Sequence, residues 1–275
     1  MIRVELVKML RRPRTWVTIV LLNLLPLVVA VLLAVTDVGP APGEGPAFLS
    51  AVLTDGKLYP LAALAIVLPL FMPVAVAVVA GDAVAGEAQA GTLRYVLVRP
   101  VGRTRLLVAK LTSILAFVLL SVVVVAVVGY VVGTLLLGRG QTVPGTPSLV
   151  TGISGNALTS TQLVERTLMA VVYVALSMLG VAAMALLLST FTDSSLGAAL
   201  GALAFLIAST LLLTLDAARV LQPYLPTRYW LSFVDLFRDP ILWRDIVRGV
   251  LLQGVYVVVF LGAAWANFMT KDITS

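Results

Sequence analysis

Residues able to do chemistry are few in this sequence, and the most informative arrangement of them is one stretch, Gly81 to Lys110. It carries Glu87, then Gly91-Thr92-Leu93-Arg94, Val96-Leu97, Arg99-Pro100 and Arg103. The chain has no histidine and no cysteine. It therefore lacks the commonest general base and the thiolate nucleophile, and metal work would fall to scattered carboxylates. What the stretch can do is dock. Thr92 can cap a short helix that follows Gly91. Leu93, Val96 and Leu97 share one face at helical spacing, and Arg99-Pro100 ends the helix, because a residue before proline avoids the α region. The pattern predicts a helix over 91–99 with an apolar stripe and basic flanks, able to seat in a groove on a partner and pass movement to its neighbours. Composition alone also allows a plainer role, a basic loop that only fixes topology.

ATP hydrolysis by this chain is not expected. A phosphate-binding loop needs G-x-x-x-x-G-K-[ST]. The one Gly-Lys pair, Gly56-Lys57, has Ala51 where the first glycine belongs and Leu58 after the lysine.

The elements that must position the loop are membrane helices. Hydrophobic residues make up 60% of the 275 and charged residues 12%, against about 25% charged in an ordinary soluble domain. The net charge of +6 suits lipid phosphates better than nucleic acid, since the basic residues flank apolar runs. A crossing needs about 20 apolar residues. Six stretches qualify, near 16–35, 58–80, 106–137, 168–188, 196–215 and 250–268, so the chain reads as one all-α transmembrane domain over 1–275. Pro69 and Pro73 are expected to kink the second span. The first span is too long for a signal-peptide core and reads as a retained anchor.

Residues 1–14 read as an interfacial amphipathic helix, with Ile2, Leu6, Met9 and Leu10 toward lipid and Arg3, Lys8 and Arg11 toward water and phosphates. Residues 138–165 read as an exposed loop. Residues 216–248 are too apolar for a free loop and read as short helices in the outer interface, with Trp and Tyr at headgroup depth. The Lys and Arg of the N-terminal segment and of the loop after the second span place both termini in the cytoplasm, although the five arginines of 216–248 cut against that rule.

Small residues suggest helix contacts. Gly129-x-x-x-Gly133 permits close approach, and Gly197, Gly201, Ala204 and Ala208 form a longer face on the fifth span. Asn23 either lines a pathway or hydrogen-bonds a neighbouring helix. Ser177, Ser209, Thr210 and Thr214 can bond back to their own helices.

The order Glu87, Gly91-Thr92, Val96-Leu97, Pro100, Arg103 and Lys110 resembles the signature loop of ABC-2 type transporter permeases. The opening Val4 to Arg12 is similar to that family's N-terminal connecting helix, and Thr190 to Ser195 to its turn between spans four and five. The resemblance covers nearly the whole chain. It implies a permease subunit of a bacterial plasma-membrane exporter, paired with a second copy or a sister permease through spans one and five. It also implies a separate ATPase subunit, carrying the ATP and Mg²⁺, docked on the 87–105 loop as a coupling helix. The chain itself would bind no cofactor. Two other readings stay open on the residues: an ion-coupled secondary transporter, disfavoured by the lack of mid-span charges, and a non-transporting assembly or anchor protein.

Overall fold

The structure is a computed structural model, and it describes residues 1–36, 55–91, 102–137 and 150–270. Helix α1 (Ile2–Arg11) stops at Arg12, whose extended backbone (φ −75°, ψ 122°) is what the following proline demands. Pro13 then opens α2 (Pro13–Thr36), at a position where its missing N–H matters least. The elbow between them is fastened by side chains. Thr15 Oγ1 donates to Met9 O (2.7 Å) and Trp16 Nε1 to Leu10 O (2.8 Å), satisfying carbonyls left over at the end of α1.

The second apolar stretch is two helices. A 3-10 turn (Gly56–Leu58) leads into α3 (Tyr59–Val67), and α4 (Phe71–Gly81) follows after a break bent by 59°. Pro69 lies in the break and Pro73 in the first turn of α4, so two backbone donors are missing where the helix would have continued. A one-turn helix α5 (Ala85–Gln89) follows, then the long α6 (Arg103–Leu136). The bent pair runs antiparallel to α6 along most of its length: Gly56 meets Gly133 at one end, and Glu87, just past α4, meets Lys110 at the other. The 23 steps from Lys110 to Gly133 rise about 35 Å, roughly the thickness of a bilayer's hydrocarbon core.

Two short strands, β1 (Val150–Thr151) and β2 (Ala157–Leu158), pair antiparallel. Helix α7 (Ser160–Phe191) starts about eight residues before the expected span, because a capping box of Thr159 and Gln162 extends it outward (3.0 and 3.3 Å). It is the central helix: 72% of its most apolar window is buried, against 17% for α9 (Trp243–Thr270). Helices α3, α4, α6, α8 (Ser195–Thr214) and α9 all pack on α7. Among the described residues, five helices are thus long and apolar enough to cross a membrane, and six crossings result if the bent pair counts as one.

The short helices expected between α8 and α9 are of the 3-10 kind, Asp216–Ala218, Gln222–Tyr224 and Trp230–Phe237. Trp230, Phe233, Leu236 and Phe237 are buried against the rest of the protein. Such backbone leaves carbonyls over, and the flanking helices supply the donors: Tyr173 Oη to Tyr229 O (2.6 Å), Gln253 Nε2 to Pro226 O (2.7 Å), Tyr256 Oη to Tyr224 O (2.7 Å) and Arg166 Nη1 to Arg238 O (2.9 Å). Non-helical backbone beside membrane helices is tolerated where protein groups satisfy it in this way. Three of the five arginines in 216–248 pair with an aspartate three residues earlier: Arg219 with Asp216, Arg238 with Asp235 and Arg248 with Asp245.

Candidate functional site

The end of the molecule that holds α1, the α4–α5 turn and the start of α6 carries its polar cluster. Ser189 of α7 builds the turn. Its Oγ donates to Gly81 O (2.6 Å) and accepts from the N–H groups of Val84 (3.1 Å) and Ala85 (2.8 Å), so the end of α4 and the start of α5 hang on one hydroxyl. Gly86 leaves room for the carboxylate of Asp82, which a Cβ there would displace. Gly91, at φ +67°, closes the element in the left-handed region that favours glycine, with its N–H bonded to Ala88 O (3.0 Å).

Two carboxylates leave this turn, and each is shared between two cations. Glu87 meets Lys8 of α1 at 2.7 Å through Oε1 and Lys110 of α6 at 2.7 Å through Oε2. Lys110 is 3% exposed. Burial pushes the Glu87 carboxyl up, but the charges and hydrogen bonds of Lys110 and Lys8 outweigh it, and the net position is below the ordinary 4.5. Asp82 takes Arg12 and Arg14 through the single oxygen Oδ2, each at 3.3 Å. The cluster walls a cavity of about 310 Å³, which Glu5 and Ser113 also line. In chemical terms the arrangement ties α1, α5 and α6 together through one acid, at the point where the chain leaves for residues 92–101.

Of the residues expected at the docking loop, Glu87 and Gly91 lie on this turn. Thr92, Leu93, Arg94, Val96, Leu97 and Pro100 lie outside the described residues, as does the proposed helix over 91–99 apart from Gly91. Arg103, at the start of α6, reaches across to α9. Its Nη1 donates to Phe268 O (3.3 Å) and Met269 O (2.8 Å), capping the last carbonyls of α9, and Trp265 Nε1 reaches Thr104 Oγ1 (3.1 Å) beside it. Lys8 is placed differently from expectation: it turns inward to Glu87, and Leu6 and Met9 pack on the body of the protein, whereas Ile2, Val4, Val7 and Leu10 are exposed.

Asn23 bonds back through Nδ2 to Ile19 O on its own helix (2.7 Å), where a bond to a neighbouring helix was the alternative to lining a pathway. Gly197, Gly201, Ala204 and Ala208 are all exposed, and α8 packs instead through Ala198, Ala199, Ala202, Leu206 and Ser209. Ser209 pairs with Thr227 (2.8 Å) and not with its own helix. The sequence reading missed Asp82, Arg12, Arg14 and Ser189 as members of one cluster. It also missed Gln253, although a lone amide in the middle of an apolar helix was a signal that it serves a buried carbonyl.

The fold and this charged end define an all-α, multi-pass membrane protein. The chain belongs to the family described as Protein of unknown function (DUF2705), which matches it over residues 44–274. No curated protein matches it.

Proposed function

We propose that this chain is the transmembrane subunit of an ATP-driven exporter, worked by a separate ATPase that docks on the 87–105 loop. The observation that carries the reading is the double engagement of Glu87. The acid at the root of the loop grips α1 through Lys8 and α6 through Lys110, and Arg103 on the returning side grips the end of α9. A push on the loop is then delivered to three elements at once, which a loop serving only topology does not need. The order of residues from Glu87 to Lys110 adds the likeness to ABC-2 permeases. In this reading both termini are cytoplasmic and the membrane is a bacterial plasma membrane. ATP and Mg²⁺ sit on the partner, and the exposed small-residue face of α8 meets a second copy or a sister permease.

The test is purification of the tagged chain from its native host in mild detergent, followed by mass spectrometry. A stoichiometric partner with a phosphate-loop signature is the expected result. A clean preparation lacking one, repeated after gentle cross-linking, would sink the proposal. Arg94→Glu is the variant for the interface, with loss of ATPase association expected. Arg103→Glu is unsuitable, because it also uncaps α9.

A further inference from the structure

The cavity beneath α1 is lined by one more cation than acid. Lys8, Arg12, Arg14 and Lys110 line it against Glu5, Asp82 and Glu87, a surplus of one positive charge. Glu87 is committed to the two lysines. Arg12 and Arg14 are left with one oxygen of Asp82 between them, at 3.3 Å each. A guanidinium carries five donors in a fork suited to phosphate oxygens, and each of these two spends one Nη on that shared oxygen. Both side chains are about half exposed, at 47% and 52%, where the cavity opens.

The mouth lies at a membrane-surface position. Arg14 sits on the first turn of α2, and the same helix continues with Val17, Val20, Leu21 and Leu24, all exposed and apolar. Trp16, half exposed, marks the boundary between them. A phosphate held by the two arginines therefore has an acyl-chain path directly below it.

We propose that this cavity is a seat for a phosphate-bearing anion, namely the head group of an anionic phospholipid, with Arg12 and Arg14 as the phosphate ligands and Asp82 as the group that holds the fork until lipid arrives. The surplus charge selects an anion, the fork selects phosphate, and the apolar stripe on α2 selects a lipid over a free ion. The inference does not depend on the transport reading.

Its test uses the full chain in detergent micelles doped with phosphatidylglycerol or phosphatidylcholine. Retained lipid is counted by native mass spectrometry, and thermal unfolding is followed in parallel. Phosphatidylglycerol is expected to be retained over phosphatidylcholine and to raise the unfolding temperature. Arg12→Gln with Arg14→Gln should weaken retention about thirtyfold, the loss of two basic contacts at a membrane surface. Asp82→Asn should strengthen it, whereas a purely structural role for the cluster predicts only loosening. If the double glutamine variant does not fold, Arg12→Lys with Arg14→Lys keeps the charge and removes the fork, and weaker retention is again expected. Inorganic phosphate that stabilises the chain and displaces the lipid would show that the seat also accepts the free ion. If phosphate stabilises and phosphatidylglycerol shows no preference, the phosphate site stands and the lipid is wrong. Equal retention of both lipids with no effect of phosphate, or unchanged retention in the arginine variants, overturns the proposal.

Discussion

The two ends of this molecule are fastened by different physics. At the α1 end, two carboxylates each bridge two cations, and helices distant in sequence are held by charge: Lys8 and Lys110 through Glu87, Arg12 and Arg14 through Asp82. At the opposite end the 3-10 segment is held chiefly by neutral side chains, with Tyr173, Gln253 and Tyr256 each donating to a backbone carbonyl and Arg166 a charged donor beside them. The charged end is strong only while its acid is ionised and every partner is present. The neutral bonds of the other end respond little to pH and salt, and they fail singly.

Lys110→Met gives the sharpest break in that contrast. It strands Glu87 in a nearly buried site with only the half-exposed Lys8, and the loss of one partner from such a pair is expected to cost about 3–5 kcal/mol. Adding Glu87→Gln should recover part of the loss. Thermal unfolding of the single and double variants in one detergent measures both, and additive losses would show that the pair is not coupled. Gln253→Leu, at the other end, leaves Pro226 O without a donor and should cost about 1–3 kcal/mol, with no dependence on salt.

Acid should separate the ends without mutation. The Glu87 carboxyl sits below its ordinary 4.5 in the fold, so its contribution is complete above that value and is lost as pH falls through the lower folded value. Hydrogen exchange compared at neutral pH and below 4 should quicken over α1 and α5 first and spare 222–237. Simultaneous opening of both would remove the distinction. The smallest effect is expected from salt. The Asp82 pairs are half exposed, so roughly 1 M salt should weaken them by less than about 1 kcal/mol, and Tyr256→Phe should show no such dependence.

The elements differed in how plainly they could be read. Spans one, three and five were legible to within a few residues, because an uninterrupted apolar run has to be a helix in lipid. The start of α7 was hidden. Thr159 and Gln162 form a capping box, but they lie in a Gly-, Thr- and Ser-rich stretch that reads as loop. The start of α9 was hidden by Arg244, Asp245 and Arg248, which belong to turns projecting past the apolar run. Small-residue spacing proved ambiguous in itself: Gly129 and Gly133 pack against Pro60, Ala63 and Gly56 within the chain, while the same spacing at Gly197 and Gly201 stays exposed. In the site, Glu87 and Lys110 stood out as parts of an ordered motif. Lys8 could not, since the contact spans 79 residues and local periodicity carries no sign of it.

The position of those 79 residues has a consequence for how the protein is made. Every charged partner in the cluster lies within the first 110 residues, so its ion pairs can form while later helices are still being synthesised, although Ser189 fastens the turn only when α7 arrives. The neutral end waits for Gln253 and Tyr256, close to the last part of the chain to appear. Because chains emerge N-terminus first, a chain halted after the third crossing has left the ribosome should already carry the ion pairs of the charged end, with the turn still to be fastened by Ser189. The 3-10 segment, by contrast, has to persist with its carbonyls open until α9 inserts, which makes the interval before that last helix arrives the vulnerable period of biogenesis.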